Sequence, residues 1–247
     1  MRTLVVFPTY NECENLPTLL PAVRAVAPEV EFLVVDDNSP DGTGYVVDDI
    51  ARHIAGVHVL HRPRKEGLAR AYQAGFGLAL SGGLGGPPID FVVQMDADFS
   101  HRPEDLPRLL DVARGGADVV IGSRNVRGGK CQNWSVARRA LSRLGSLYTR
   151  LVLRLPVRDA TSGFKCWRRA ALEAAKPETA RASGYAFQIE MNYRAVRAGL
   201  QVVEVPICFS VRLSGRSKMT MSICWEAWLL VLRLALESKR APSLTRD

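Results

Sequence analysis

Residues 89–101 read IDFVVQMDADFSH, an apolar run that ends in a cluster of polar residues. The apolar run 89–95 has the length and composition of a buried strand, and two carboxylates, Asp96 and Asp98, follow it directly. Carboxylates one residue apart repel each other unless a positive charge offsets the repulsion. The residues beyond the end of this strand therefore have to contain or recruit that charge.

Other β-rich runs alternate with helical spacing along the chain. The patterns predict strands at 3–7, 32–36, 57–60, 89–95 and 118–121, and helices at 16–27, 45–55, 68–80 and 103–113. Because several strands are continuously apolar, we expect the sheet to be covered on both faces. We predict an α/β fold, with a Rossmann-like, mostly parallel sheet flanked by helices, in one domain over 1–222.

Three polar clusters follow predicted strands at one edge of this sheet. They are PTYNE (8–12), DDNSPDGTG (36–44) and DADFSH (96–101). Ligands of such sheets bind beyond the carboxyl ends of the strands. The three clusters therefore predict a single binding site.

A divalent cation would explain the paired carboxylates. Asp96 and Asp98 can converge on a hard cation, which offsets their repulsion and keeps positions free for diphosphate oxygens. The alternative is that Asp98 or Ser100 only caps the helix that follows. Since Asp36 and Asp37 end a neighbouring strand, we favour the cation.

The formal net charge of +8 is unevenly distributed. Between residues 119 and 158 there is no Asp or Glu, and nine basic side chains fall there: Arg124, Arg127, Lys130, Arg138, Arg139, Arg143, Arg150, Arg154 and Arg158. The pattern indicates an anionic partner. Lipid headgroups are favoured over nucleic acid, because the chain has no zinc finger, RNP-type strand or interleaved aromatics.

The sequence also indicates a cellular context. The five cysteines are scattered without a C-x-x-C pair, and there is neither a signal peptide nor an apolar run of the ~20 residues that span a membrane. We expect a cytoplasmic protein. The amphipathic C-terminal helix and tail, 223–247, begin with ICWEAWLLVLRLAL (223–236), which either lies in the membrane interface, docks on a partner subunit, or packs on the domain as a core helix.

Six motifs together resemble a known family. PTYNE, DDNSPDGTG, DADFSH, GSR, DATSGFK and GRSKM, in this order, are similar to those of the inverting GT-A glycosyltransferases of family 2, and more narrowly of the dolichol or polyprenol monophosphate mannose synthases. The resemblance covers roughly residues 3–225. It implies a GT-A fold, transfer of mannose from GDP-mannose to a polyprenyl monophosphate with inversion, and Mg²⁺ or Mn²⁺ as cofactor. It also implies peripheral attachment to the cytoplasmic face of the membrane, with room for a membrane-anchoring partner subunit.

The resemblance further implies roles on the donor side. Asp98 and Ser100 would ligate the metal, and Asp98 and Arg212 would be the catalytic pair. The donor-binding residues would be Pro8, Tyr10, Glu12, Asp37, Asp96, Asp98, Arg212 and Lys218. An ordinary solvated basic loop is the alternative for the stretch around Arg212.

On the acceptor side, Arg124, Arg138 and Ser142 match the family's positions for the lipid phosphate. A phosphate monoester has a second pKa of ~6, so it needs positioning by guanidinium groups more than it needs a general base. We accordingly expect His101 to pack or cap.

Asp159, Gln188 and Glu190 are candidates for holding sugar hydroxyls, although Glu190 could simply face solvent. Two functional alternatives stay open. One is the same fold with another donor, such as UDP-glucose. The other is a non-catalytic basic module that binds membrane or nucleic acid.

Overall fold

A computed structural model describes residues 1–210 and 228–236. Seven strands form the main sheet and two short strands form a second one. They are β1 (Thr3–Thr9), β2 (Val30–Asp36), β3 (Val57–His61), β4 (Phe91–Gln94), β5 (Val119–Ser123), β6 (Lys130–Cys131), β7 (Lys165–Arg168), β8 (Val202–Pro206) and β9 (Cys208–Phe209). The order in the main sheet is β3-β2-β1-β4-β7-β5-β8, and β6 pairs with β9.

Seven α-helices connect these strands within the described residues. They are α1 (Leu16–Val26), α2 (Thr43–His53), α3 (Leu68–Ser81), α4 (Leu106–Arg114), α5 (Val136–Leu153), α6 (Arg169–Ala175) and α7 (Ala186–Arg197). Residues 228–236 are also helical. The predicted α/β class is confirmed, and each of the nine predicted elements is present with its ends shifted by a few residues.

The register of the central strands aligns the polar clusters. β1 runs parallel to β2 and β4, with Thr9 opposite Asp36 and Val6 opposite Gln94. The chain therefore leaves all three strands at the same edge, as the sequence predicts. β7, which was not among the predicted strands, runs antiparallel between β4 and β5 and makes the sheet mixed.

Apolar side chains cover the sheet on both faces, because successive strand residues point in opposite directions. On one face Val5 and Phe7 pack with α1 and α4, and on the other Leu4 and Val6 pack with α3, α6 and α7. Gly75 of α3 lets that helix approach the sheet, since a Cβ there would lie 2.7 Å from a methyl group of Val6. The packed sheet thus supports the loops at its polar edge.

The helix at 228–236 packs one of its faces on the domain. Val231 is buried against Ala160 and Ile189, and the Tyr148 hydroxyl donates to the carbonyl of Trp228 at 3.4 Å. This agrees with the core-helix alternative for that face. In the part of the chain that the structure describes, no helix has the length and apolar character needed to cross a membrane. Arg212, Lys218 and the rest of 211–227 and 237–247 lie outside the described residues.

Candidate active site

The three strand-end clusters each contain one non-glycine residue in the left-handed region of backbone space. These are Asn11 after β1, Asn38 after β2 and Phe99 after β4, with φ of 62°, 58° and 59°. Asparagine tolerates this conformation, whereas a phenylalanine there is strained and has to be held by its surroundings. These turns end the three strands at the same edge of the sheet, and the side chains of the turn residues line that edge.

A cleft of about 210 Å³ lies at this edge. It brings together six of the residues predicted to bind the donor: Pro8, Tyr10, Glu12, Asp37, Asp96 and Asp98. Lys65, Gly67 and Tyr185 also line it, and the Lys65 ammonium lies 3.6 Å from the centre of the Tyr10 ring. We call this space the strand-end cleft.

Asp37 is fixed at the base of the strand-end cleft. Its Oδ1 accepts a hydrogen bond from Arg62, and its Oδ2 accepts from the backbone N–H groups of Glu66 and Gly67 at 2.9 and 2.6 Å. The carboxylate is only 3% exposed. With three donors directed at it, Asp37 also orders the loop that leads into α3.

The second carboxylate after β4 is buried beside an unpaired hydroxyl. Asp98 Oδ1 accepts the Ser100 backbone N–H at 3.0 Å, while the buried Ser100 Oγ has no hydrogen-bond partner among the described residues. No group of three His, Cys, Asp or Glu side chains within 1–210 and 228–236 forms a metal cluster. Asp98 and Ser100 offer oxygen atoms of the kind that a hard cation prefers, and their predicted role as metal ligands stays a prediction.

His101 packs behind the same turn, as the sequence suggests. Its ring stacks on Phe164 at 4.9 Å between centroids, and its Nδ1 accepts the backbone N–H of Asp96 at 2.9 Å. Burial lowers the pKa of the imidazole below its ordinary value, and this outweighs the opposing effect of the Asp96 carboxylate. A neutral His101 that uses Nδ1 as an acceptor orients the turn and is not poised as a base.

Arg124 is held by a bidentate ion pair. Its Nε and Nη2 donate to the two oxygens of Asp159 at 2.7 and 2.6 Å, its backbone N–H donates to the same carboxylate at 2.8 Å, and Nη2 also donates to Thr161. Burial alone lowers the pKa of Arg124, but the Asp159 carboxylate outweighs it and the net pKa is raised. Asp159, predicted to hold sugar, is 0% exposed and anchors this arginine.

Arg138 and Ser142 stand on α5 beside a second cavity. This cavity, the apolar groove, has a volume of about 310 Å³ and is lined by Arg124, Trp134, Arg138, Leu141, Ser142, Leu144, Gly145, Tyr148, Thr149, Thr161, Tyr185, Ile189, Phe209 and Trp228. The Arg138 guanidinium lies 4.2 Å from the centre of the Trp134 ring, and Arg124 lies 5.5 Å from it. The three predicted acceptor residues therefore share one cavity.

Gln188 lies in a buried network beneath the site. Its Oε1 accepts from Lys165 Nζ at 2.8 Å, and its Nε2 is buried without a partner among the described residues. A Cβ placed on Gly163 would lie 3.6 Å from that Nε2 and 3.8 Å from an oxygen of Asp96. An unpaired donor is thus buried near Asp96, and the predicted contact of Gln188 with a sugar hydroxyl stays a prediction.

Glu190 has a different environment. One of its oxygens accepts from the backbone N–H groups of Arg181 and Ala182 at 3.0 and 2.8 Å, and the other accepts from Arg194. The side chain is 4% exposed, so the solvent-facing alternative is wrong. Its contacts tie α7 to the preceding loop, and its predicted contact with sugar stays a prediction.

The sequence analysis does not predict Lys65, Lys165 and Trp134 as residues of the site. Lys65 lies in a short basic run, and Lys165, in the FKCW stretch, has no pattern that marks it as buried. Trp134 is a single tryptophan before α5. A tryptophan isolated in a polar, basic segment was the one available signal. The other two depend on contacts between distant parts of the chain.

Comparison with known proteins agrees with this geometry. Residues 4–175 match the model of the glycosyl transferase family 2. The chain is 47% identical over 239 residues to the undecaprenyl-phosphate mannosyltransferase of Micrococcus luteus, covering 97% of this chain and 96% of that protein. It is 45% identical to the polyprenol monophosphomannose synthase of Mycolicibacterium smegmatis, covering 96% and 88% respectively.

Solved structures share the fold at low sequence identity. Glucosyl-3-phosphoglycerate synthase from Mycobacterium tuberculosis, in complex with Mn²⁺ and UDP-glucose, superposes with a TM-score of 0.67 at 20% identity over 98% of this chain and 80% of that one. Mannosyl-3-phosphoglycerate synthase from Rubrobacter xylanophilus gives 0.67 at 16% over 100% and 78%. The GT-A-like fold is confirmed. With a family model that matches well over half of its length and relatives this similar, the chain belongs to glycosyl transferase family 2.

Proposed function

We propose that the protein transfers mannose from GDP-mannose to a polyprenyl monophosphate, with inversion at the anomeric carbon and with a divalent metal. One observation carries the proposal. The strand-end cleft, with its carboxylates, and the apolar groove, with its arginines, both have Tyr185 in their walls. A nucleotide sugar in the cleft would therefore present its sugar toward a phosphate at the arginine end of the groove.

The donor half needs to hold a nucleoside diphosphate. Asp98, with Ser100 Oγ and with Asp96 beside it, would hold Mg²⁺ or Mn²⁺, which neutralises charge on the departing diphosphate. Two backbone N–H groups of its loop hold the Asp37 carboxylate in place. It therefore offers a positioned hydrogen-bond acceptor for a donor group of the base or for a ribose hydroxyl. Arg212 and Lys218 keep their proposed place over the diphosphate.

The acceptor half needs an arginine cradle and an apolar wall. A phosphate monoester is largely dianionic near neutral pH, because its second pKa is ~6, and it can attack without a strong base. Arg138 has no acid within its own segment to compete for its guanidinium, and Arg124 keeps a fixed orientation through Asp159. Leu141 and Leu144 offer apolar surface for the first isoprene units.

The sugar has to be oriented for in-line attack. We assign a hydroxyl contact to Gln188, whose Nε2 near Asp96 has no partner among the described residues, and this buried amide has to become accessible when the sugar binds. Asp159 and Glu190 would act on the sugar only through the residues they hold. His101 is neutral and accepts the backbone N–H of Asp96. Because a dianionic phosphate can attack without a strong base, we assign no histidine the role of proton acceptor.

The same fold with UDP-glucose is the second candidate, because one structural neighbour was solved with that donor. The mannosyl reading is favoured by the names of the relatives at 45% and 47% identity. The proposed acceptor supports attachment to a membrane, and we extend the proposal to its cytoplasmic face, with or without an anchoring subunit.

Isothermal titration of GDP, UDP and their sugars, with and without Mn²⁺, tests the donor assignment. Tight binding of GDP-mannose that requires Mn²⁺ supports the proposal. Preference for UDP-glucose transfers the proposal to the second candidate, and absence of nucleotide binding overturns the enzymatic reading.

A further inference from the structure

A further cavity, the basic pocket, adjoins the apolar groove. Its volume is about 300 Å³, and it shares Arg124, Trp134 and Ser142 with the groove. Among the described residues, it has no lining residue in common with the strand-end cleft. The proposed transfer of mannose uses only the wall that the pocket shares with the groove, so the rest of this cavity has no assigned role.

Positive charges line the basic pocket without acidic partners. Lys130 of β6 and Arg139 and Arg143 of α5 belong to its wall. None of the three forms an ion pair within residues 1–210 and 228–236, and none of the described residues that line the pocket is an Asp or Glu. Like charges held close together repel, and a bound anion offsets that repulsion. The composition of the pocket therefore favours an anion.

The arginines of the pocket lie around one point. Cys131, which also lines the pocket, has a thiol whose pKa is raised by burial, and the positive charges of Arg124, Arg143 and Arg139 act in the opposite direction. Such an effect requires each guanidinium to lie near the thiol. The three groups therefore surround a common space, although they come from the end of β5 and from α5.

Backbone contacts hold the strand that carries Lys130 in place. The Lys130 N–H donates to the carbonyl of Ile207 at 2.9 Å, and the Gln132 N–H donates to that of Phe209 at 2.8 Å. A Cβ on Gly129 would lie 2.6 Å from a backbone oxygen at the end of β5, so a glycine is required for this close approach. The wall opposite α5 is thus ordered without a ligand.

The shared wall would direct a second phosphoryl group into the basic pocket. In the proposed function, Arg124, Arg138 and Ser142 hold the lipid phosphate at the end of the apolar groove. Because Arg124 and Ser142 also line the basic pocket, a group bonded to that phosphate on the side away from the isoprene chain would meet the basic side chains of the pocket. Guanidinium groups bind phosphoryl oxygens through paired N–H donors.

We propose that the basic pocket binds the terminal phosphoryl group of a polyprenyl diphosphate, whose isoprene chain occupies the apolar groove. The inference rests on the proposed function, since that function assigns the groove to the lipid. A diphosphate ester is favoured over a free anion because the pocket and the groove are continuous through Arg124, Trp134 and Ser142.

A lipid diphosphate bound in this way would inhibit transfer. Its dianionic terminal phosphoryl group would lie in the basic pocket, which shares no described residue with the strand-end cleft that holds the donor. The inner phosphoryl group would occupy the place of the acceptor phosphate. The lipid diphosphate should therefore compete with the polyprenyl monophosphate and accept no mannose itself.

Calorimetric titration of farnesyl diphosphate and farnesyl monophosphate, with EDTA and without nucleotide, tests the inference. The wild type should bind the diphosphate at least about tenfold more tightly, because one additional charge-assisted contact contributes that much. Arg139→Gln/Arg143→Gln should lose this preference while its affinity for the monophosphate stays unchanged. Arg139→Lys/Arg143→Lys keeps the charge without the paired donors and should keep part of the preference.

The matched control is Arg150→Gln/Arg154→Gln. It removes two exposed arginines from the end of the same helix at the same four-residue spacing, and neither lines the pocket. The control should keep the wild-type preference for the diphosphate. Loss of the preference in both glutamine variants would assign it to the overall charge of the helix and overturn the inference. The thermal midpoint shows whether each variant is folded.

Three further outcomes overturn the inference. They are equal affinity of the wild type for the two lipids, a loss of monophosphate affinity in Arg139→Gln/Arg143→Gln, and binding of inorganic diphosphate as tight as that of farnesyl diphosphate. The second would place the monophosphate itself in the basic pocket, and the third would assign the pocket to a free anion.

A transfer assay separates this inference from the proposed function. With the wild type, farnesyl diphosphate should raise the apparent KM for the polyprenyl monophosphate and leave kcat unchanged. If the lipids bind as expected but the wild type transfers no mannose to any lipid phosphate, the diphosphate site stands and the proposed function fails. If transfer occurs without inhibition by the diphosphate, the inference fails and the proposed function stands.

Discussion

Arg124 and Asp159 form a buried bidentate ion pair in which the arginine is 8% exposed and the carboxylate 0%. The aspartate also accepts the backbone N–H of Arg124 at 2.8 Å, and Glu204 in turn accepts the backbone N–H of Asp159 at 2.9 Å. The ion pair therefore holds the guanidinium at the end of the apolar groove in one orientation.

Replacing Asp159 should lower the free energy of unfolding. Asp159→Asn leaves the Arg124 charge buried without its counter-ion, and such breaks cost roughly 3 to 5 kcal/mol of unfolding free energy. Denaturation in urea measures this loss. Thr161→Val, which removes only the hydroxyl contact to Arg124, should cost about 1 kcal/mol. Equal, small losses in both variants would contradict the anchoring role.

The same pair predicts a pH dependence. Burial raises the pKa of Asp159, but Arg124 outweighs it and the net pKa is lowered below its ordinary value of 3.8. A depressed carboxylate contributes stability above that ordinary value, and the contribution is lost as the pH falls below it. The stability difference between wild type and Asp159→Asn should therefore shrink in acid.

Trp134 should act on the acceptor through Arg138. The ring is 8% exposed, and its indole N–H has no hydrogen-bond partner among the described residues. The position of the ring therefore depends on contacts with its two faces, one of which is the Arg138 guanidinium. Trp134→Phe keeps a weaker cation–π face and Trp134→Leu removes it. The KM for polyprenyl phosphate should rise in that order, with GDP-mannose affinity unchanged. A rise in the leucine variant alone would assign the ring to packing.

Arg138→Ala removes the charged contact itself. If Arg138 holds the lipid phosphate, the loss should be ~1.5 to 3 kcal/mol, or about ten- to a hundredfold in acceptor efficiency. Transfer is measured over a series of polyprenyl phosphate concentrations, and donor binding separately by calorimetry. Equal loss of donor affinity would place Arg138 on the nucleotide, and no loss at all would remove it from the cradle.

Lys165 should make the stability rise with pH. Burial lowers the pKa of its ammonium from 10.5 to about 7, against a smaller opposing effect of Asp159. Between those values the unfolded chain binds the additional proton, so the free energy of unfolding increases as the pH rises from about 7 toward 10.5. Lys165→Met should flatten this rise in urea titrations. An identical slope in both proteins would show that Lys165 does not titrate in this range.

The secondary-structure elements and the strand-end cleft could be predicted from the sequence because both depend on local sequence pattern. Apolar runs of strand length, followed by PTYNE, DDNSPDGTG and DADFSH, are enough to place β1, β2 and β4 and the cleft at their ends. The antiparallel β7 could not be predicted, since its partners β4 and β5 lie far along the chain.

Buried charges escaped prediction for the same reason. The sequence marks Asp159 and Glu190 as polar, but only the fold reveals that Arg124 and Arg194 enclose them. The amphipathic pattern of α5 can be seen in the sequence. Which side of the helix the domain covers is a tertiary property and cannot be seen there.

The proposed activity can be assayed as transfer of labelled mannose from GDP-mannose to undecaprenyl phosphate by the purified chain with Mn²⁺, with Asp98→Asn assayed in parallel. Product should form with the wild type and require the metal, and the mannosyl lipid should have the inverted anomeric configuration. Asp98→Asn should abolish turnover and weaken metal-dependent GDP binding while its unfolding curve stays cooperative. Near-normal turnover in Asp98→Asn would contradict the metal-binding role of Asp98, and no product from GDP-mannose in the wild type would contradict the proposed activity.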